Sequence, residues 1–152
     1  MITIFRTDSN NTEFLRLVEE LNNELAIRDG SDHAWYSQHN STSSITHVVV
    51  LYMDEAAVSC GGLKPFEPGS MEVKRMYTVP SARGKRLAAQ VLRELEQWAI
   101  ELGCNKLVLE TGKRQPEAIA LYQRTGYSFI PNYAQYEKID NSVCFEKQLS
   151  VS

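Results

Sequence analysis

Between positions 73 and 86 the chain carries Lys74, Arg75, Arg83, Lys85 and Arg86 and no acidic side chain, although the whole protein has 16 Lys and Arg against 19 Asp and Glu. Positive charge is therefore concentrated in one short segment. That segment, EVKRMYTVPSARGKRLAAQ, passes from a strand pattern through a turn into a long amphipathic helix pattern. A helix start leaves backbone N–H groups without intrahelical acceptors and carries the positive end of the helix dipole, so a basic turn at that point suits an anion such as a phosphate. Gly84 removes a Cβ where a phosphate would approach the backbone, and Pro80 with Ser81 ends the strand. An ordinary strand-to-helix turn with a solvated basic face would have the same composition.

The remaining composition narrows the function classes. A chain of 152 residues is long enough for one domain with its own core, and a single domain over residues 1–152 is expected. The formal charge of −3 and a pI near 5.6 argue against a nucleic-acid partner, which calls for an excess of Lys and Arg over a whole face. Cys60, Cys104 and Cys144 are odd in number and lack metal-ligand spacing, so they read as reduced thiols with no metal site. The N-terminus MITIFRTDSN has no apolar run of signal-peptide length, and nothing approaches the roughly 18 apolar residues of a membrane span. A cytoplasmic protein without a membrane partner is expected.

Hydrophobic periodicity supplies the elements. Residues 1–6 alternate like a short strand, and Thr7, Asp8 and Ser9 offer turn and cap chemistry before a helix marked by Phe14, Leu17, Val18, Leu21 and Leu25 that ends by Gly30. Residues 31–44 are polar and interrupted by His33, Trp35, Tyr36 and His39, which suggests a short helix and a loop. Residues 45–53 and 56–63 form a hairpin around Asp54 and Glu55; Pro65, Pro68 and Gly69 break the chain, and a third strand follows over 71–79. A helix from Gly84 shows Leu87, Val91, Leu92, Leu95, Trp98, Ala99 and Leu102 on one face and stops at Gly103. A strand over 106–110, a helix over 115–125 closed by Gly126, and strands over 127–130 and 143–149 complete the chain. The fold class is α/β (α+β), a mixed sheet of six or seven strands.

With the elements placed, two motifs resemble the GNAT superfamily of N-acetyltransferases, enzymes that move an acetyl group from acetyl-CoA to an amine. The cofactor motif of that family is Gln or Arg, two residues, Gly, one residue, then Gly or Ala, at the start of the central helix. Arg83, Gly84, Lys85, Arg86, Leu87 and Ala88 match it at both ends and depart from it in the middle, where Arg86 stands in place of the expected Gly. Downstream, Gln115, Ala118, Leu121, Tyr122, Gly126 and Tyr127 are similar to the family's Asn-x-x-Ala-x-x-Leu-Tyr-x-x-x-Gly-Phe helix. The resemblance implies a sheet with helices on both faces, whose two central strands splay to admit the pantetheine arm, and a homodimer.

The resemblance also implies roles. Backbone N–H groups of residues 83–88 would hold the CoA pyrophosphate, with Gln115 also on the cofactor side, and Met76, Tyr77 and Thr78 would offer strand-like hydrogen bonds to the pantetheine. Arg86 would either add a charge-assisted phosphate contact or crowd the loop. Tyr122 matches the tyrosine that protonates the departing thiolate, while periodicity alone would make it a core residue. Glu72 stands eleven residues before Arg83, the separation of the general-base glutamate in some histone-acetylating members; it could equally be a surface Glu paired with Lys74 or Arg75. Strand alternation puts Glu72, Lys74, Met76 and Thr78 on one face. Glu110 is the second candidate base.

For the acceptor, the family's pattern points to Asp32, His33, Trp35, Tyr36, Tyr133 and Tyr136, aromatic groups with polar tips that also close core edges. Arg114 could pair with a substrate carboxylate or stand solvated. The function implied is direct acetyl transfer from acetyl-CoA to a primary amine of a small molecule or amino-acid-like acceptor. A CoA-binding sensor without turnover and acetylation of a protein amine are the alternatives.

Overall fold

Alternating β-branched and apolar residues build a seven-stranded sheet. The computed structural model describes residues 1–29, 42 and 44–149. In it β1 (Ile2–Thr7), β2 (His47–Met53), β3 (Ala56–Glu67) and β4 (Ser70–Thr78) pair antiparallel in chain order. β5 (Lys106–Gly112) lies parallel to β4, and β7 (Ser142–Gln148) inserts antiparallel between β5 and β6 (Ser128–Ile130). The spatial order is β1-β2-β3-β4-β5-β7-β6. α1 (Thr12–Asp29) follows β1, α2 (Leu87–Glu101) carries the chain from β4 to β5, and α3 (Pro116–Arg124) carries it from β5 to β6.

Because side chains alternate along β2, the sheet has two apolar faces. Val48 and Val50 pack with Phe14, Leu17, Val18 and Leu21 of α1. Val49 and Leu51 pack with Val91, Leu92, Leu95 and Ala99 of α2 and with Leu121 and Tyr122 of α3. The expected mixed sheet with helices on both faces is what forms. Burial of each such side chain contributes about 1.5–3 kcal/mol, which anchors α1 and α2 against opposite sides of β4.

Four local details differ from the sequence reading. Asp8 accepts from the Asn10 amide, and it is Asn11 that caps α1 by accepting from the Phe14 amide at 2.9 Å, since the side-chain oxygen must reach the third amide of the helix. β3 does not break at Pro65 but pairs Pro65 with Met71 and continues to Glu67. The β2 register stops at Leu63, so no second neighbour asks Pro65 for the N–H it lacks. Residues Pro80–Ala82 make a 3-10 turn and α2 starts at Leu87, not at Gly84. Gly84 at φ 82° and Arg86 at φ 61° are left-handed and cannot belong to a right-handed helix. The expectation for residues 31–44 falls almost entirely outside the described residues, Asp32, His33, Trp35, Tyr36 and His39 among them.

The fourth difference lies in β4 itself. Cys60 pairs with Tyr77 and Gly62 with Lys74, so Arg75 and Met76 stand together opposite Gly61 as a β-bulge, with Arg75 at φ 59°. The bulge shifts the alternation by one: Met76 packs with the α2 side while Tyr77 packs with the α1 side. Glu72 and Lys74 therefore do not share a face with Met76 and Thr78, contrary to simple alternation. Gly61 permits this arrangement by close approach, because a Cβ there would lie 2.3 Å from Met76 Sδ and 3.0 Å from Leu95 Cδ1.

Gly61→Ala is accordingly expected to lower the unfolding free energy by about 1–3 kcal/mol through overpacking. Urea denaturation followed by circular dichroism measures this; an unchanged midpoint would show that Met76 repacks without strain.

Candidate functional site

β4 and β5 pair only through Ser70–Lys106, Met71–Leu107 and Glu72–Val108, yet β4 runs on to Thr78 and β5 to Gly112. Beyond the third pair the strands part. Each tail remains anchored on its outer side, Thr78 by Ser59 of β3 and Gly112 by Ser142 of β7. The gap is the mouth of a cavity of about 530 Å³, lined by residues 73–78 of β4, residues 110–112 of β5, the turn before α2, and α3. That volume lies within the range of small-molecule sites.

The cavity reaches the start of α2. No side chain caps that helix and its first turn holds no acidic residue, so its first amides are available to an anion. The Arg83 amide is already used by the Pro80 carbonyl, at 3.3 Å. Its guanidinium donates from Nε to the Thr78 carbonyl at 2.9 Å and from Nη2 to Glu24 at 2.7 Å, tying the turn to its own strand and to α1. Gly84, Arg86, Leu87 and Ala88 line the cavity, whereas Lys85 is exposed and does not. Arg86 occupies the N-cap position at φ 61° and ψ 27°. A left-handed residue is what the position requires, which explains in physical terms why a glycine is expected there.

Tyr122 projects from α3 into the cavity wall and is only 6% exposed, with its ring against Tyr127 and Phe145. Gly126 at φ 98° ends α3, and the Tyr127 amide closes back on the Tyr122 carbonyl at 2.9 Å, fixing the last turn under the ring. Burial, with the nearby Glu110 carboxylate second, holds the phenol above its ordinary pKa. The phenol therefore holds its proton more tightly than a free tyrosine does. Gln115 begins α3 and lines the cavity as well.

The two candidate carboxylates separate. Glu110 of β5 lines the cavity and accepts from Ser142 Oγ at 2.6 Å. Glu72 lies before the split, 3% exposed and outside the lining, where it accepts from the Tyr133 hydroxyl at 2.6 Å. Tyr136 is fully enclosed and bonds Lys74 Nζ at 3.0 Å. Tyr133 and Tyr136 thus brace the β4 side chains from outside the cavity, and burial, with Glu72 or Glu110 adding to it, raises the pKa of both phenols. Arg114 is exposed and away from the lining; Trp35 and Tyr36 lie outside the described residues.

Sequence reasoning counted Lys74 and Arg75 only within the basic segment, without a role of their own in the site, and missed Glu24; all three line the cavity. Two adjacent cations inside an otherwise apolar strand were the available signal for the first two. Glu24 gave none, because it meets the turn only through the packing of α1. Burial lowers the Lys74 pKa, opposed by Glu72 and Glu110, and brings Arg75 from 12.5 down to about 10.

A mixed sheet opened between two parallel strands, with an uncapped basic helix start at the opening, is the arrangement that the resemblance of the two motifs implied. The profile of the acetyltransferase (GNAT) family matches residues 12–127, and the chain belongs to that family. It is 31% identical over 151 residues to an IAA acetyltransferase of Azospirillum brasilense, covering 97% of this chain and 98% of that one. A solved structure from Klebsiella pneumoniae assigned to the acyl-CoA N-acyltransferases superposes with a TM-score of 0.81 at 32% identity, over 99% of both chains. A GNAT family acetyltransferase of Elizabethkingia anophelis, solved with acetyl-CoA bound, shares the fold at 16% identity and a TM-score of 0.71, over 97% of this chain and 98% of that one.

The left-handed position of Arg86 generates a stability prediction. A left-handed residue other than glycine costs about 1–2 kcal/mol, and the greater freedom of glycine in the unfolded chain returns roughly 0.5–1 kcal/mol of that. Arg86→Gly is expected to stabilise the protein by about 0.5–1 kcal/mol, measured by chemical denaturation without ligand. Destabilisation would mean that the Arg86 side chain makes contacts that outweigh its backbone.

Proposed function

We propose that this protein transfers the acetyl group of acetyl-CoA directly to a primary amine of a small molecule. The observation that carries the reading is that the strand gap, the uncapped start of α2 and Tyr122 border one cavity. Support also comes from family membership and from the relative that binds acetyl-CoA. Amides from Gly84 onward and the Arg86 side chain hold the pyrophosphate, and residues 76–78 of β4 receive the pantetheine as an added strand partner.

In the transfer step the neutral amine nitrogen attacks the thioester carbonyl carbon, the C–S bond of the tetrahedral adduct breaks, the thiolate takes the Tyr122 proton, and the proton that the adduct nitrogen sheds to become the amide returns to the Tyr122 phenolate. An alkylamine is mostly protonated near pH 7, so a proton must leave it first. Glu110, as a cavity-lining carboxylate, accepts it directly or through water. Glu72, enclosed with Tyr133, acts on the site through the residues it braces. Cys60, Cys104 and Cys144 are all free, which suits the cytoplasm, and no helix among the described residues is long and apolar enough to cross a membrane.

Three outcomes test the reading. Acetyl-CoA and CoA should raise the melting temperature and ATP should not, with amine-dependent thiol release separating an enzyme from a CoA sensor; stabilisation by ATP alone would overturn it. Tyr122→Phe should lower kcat on the order of 100-fold, the scale of a lost general acid, with little change in KM for acetyl-CoA. Because the folded Tyr122 pKa lies above its ordinary 10.0, kcat should rise with pH as the amine deprotonates and show no alkaline fall below pH 10. A fall near neutral pH would assign the proton donor to another group.

A further inference from the structure

Arg75 is the most enclosed guanidinium described in this chain, yet it lacks what the exposed ones have. Arg6, Arg16 and Arg83 each meet glutamate carboxylates, in places where water could have served. Arg75 is 6% exposed and lines the cavity, its Nη2 donates to Asn22 Oδ1, and its Nε has no acceptor. Lys74 beside it is 9% exposed and lines the cavity too; among the described residues its Nζ donates to the Tyr136 hydroxyl, while the Glu72 and Glu110 carboxylates act on it without forming an ion pair. Among the described residues neither forms a salt bridge. Two neighbouring cations withheld from water are unfavourable unless an anion completes them.

The bulge is what brings both to one side. Val73 packs on the α2 side, which leaves Lys74 on the α1 face, and Arg75, left-handed at φ 59°, reaches Asn22 of α1 on that same face instead of alternating away from it. Across the gap β5 presents Glu110. One wall of the split is thus cationic and the other carries a carboxylate. The pyrophosphate end is at the start of α2, reached by Arg86 and the first-turn amides, so the cations on β4 answer to a second anion.

We infer that the acceptor carries a carboxylate beside its amine, an amino acid held by Arg75 and Lys74 on the β4 wall with its amine turned toward Glu110. This rests on the acetyl-transfer reading above. A guanidinium edge and an ammonium together satisfy a carboxylate's lone pairs. A carboxylate anchored on one strand sets the α-amine at a fixed place between the strands, where the thioester lies.

The experiment uses the full chain with saturating acetyl-CoA and matched acceptors: a panel of amino acids and the corresponding α-carboxamides, read by thiol release. The amide's amine is the less basic, so near pH 7 a larger fraction of it is neutral and able to attack, which favours the amide. The inference expects the opposite, kcat/KM at least about 30-fold higher for the best amino acid than for its amide, the scale of a lost charged hydrogen bond. Arg75→Gln should remove most of that ratio by raising KM for the amino acid, leaving the amide rate and KM for acetyl-CoA within about 3-fold. If Arg75→Gln does not fold, Lys74→Met is read in the same way, and the acid-to-amide ratio of the unaltered protein decides on its own. Amides acetylated as well as acids, or equal losses for both acceptors in the variants, would overturn the carboxylate site alone. Absence of thiol release with every amine would overturn it together with the acetyl-transfer reading.

Discussion

The parallel pairing of β4 with β5 stops after Glu72 and Val108, and the cavity exists because the two strands continue without each other. Backbone N–H and C=O groups seek partners wherever they are buried, so a sheet does not open in its middle without support. Here the support is lateral. β3 holds β4 as far as Thr78 and β7 holds β5 as far as Gly112, which keeps both tails extended while their facing edges remain available. α1 and α2 pack on opposite faces of the sheet, so both sides of β4 are covered.

The same separation governs the electrostatics. A basic turn sits at the uncapped start of α2, Lys74 and Arg75 occupy the β4 wall, and Glu110 stands on β5. Charges of both signs are distributed around one enclosed volume, where they act more strongly than in water. Tyr133 and Tyr136, from the turn between β6 and β7, fasten Glu72 and Lys74 from behind. The tyrosine hydroxyls hold these charged groups in a fixed geometry, so the wall is preorganised.

Much of the architecture was legible in the chain. Helical spacing marks α1, α2 and α3, apolar and β-branched runs mark β2 and β5, and the order of the two motifs points to the family. Tyr122, which lines the cavity, stands out in the sequence because its neighbours Leu121, Gly126 and Tyr127 make a pattern that a core tyrosine does not need. The unusual Arg86 was visible as a departure, but its left-handed backbone was not, since the turn conformation is set by where α2 must dock. The sequence reading ranked Glu72 ahead of Glu110 on its spacing from Arg83, whereas it is Glu110 that lines the cavity. Both lie on strands at the centre of the sheet, and only the point at which pairing ends separates an enclosed carboxylate from one that faces the cavity.

The alternation argument for β4 failed for a related reason. It assumed regular pairing, and one extra residue opposite Gly61 reversed the faces of Met76 and Thr78. Sequence by itself determined the elements, the family and the basic turn, because these rest on contacts between residues within a few positions of one another. Tertiary structure alone decided the opening between β4 and β5, the enclosure of Lys74 and Arg75, and the bracing by Tyr133 and Tyr136. Those depend on strand register and on partners some 32 to 62 positions apart in the chain, and no local pattern encodes where two distant strands cease to pair.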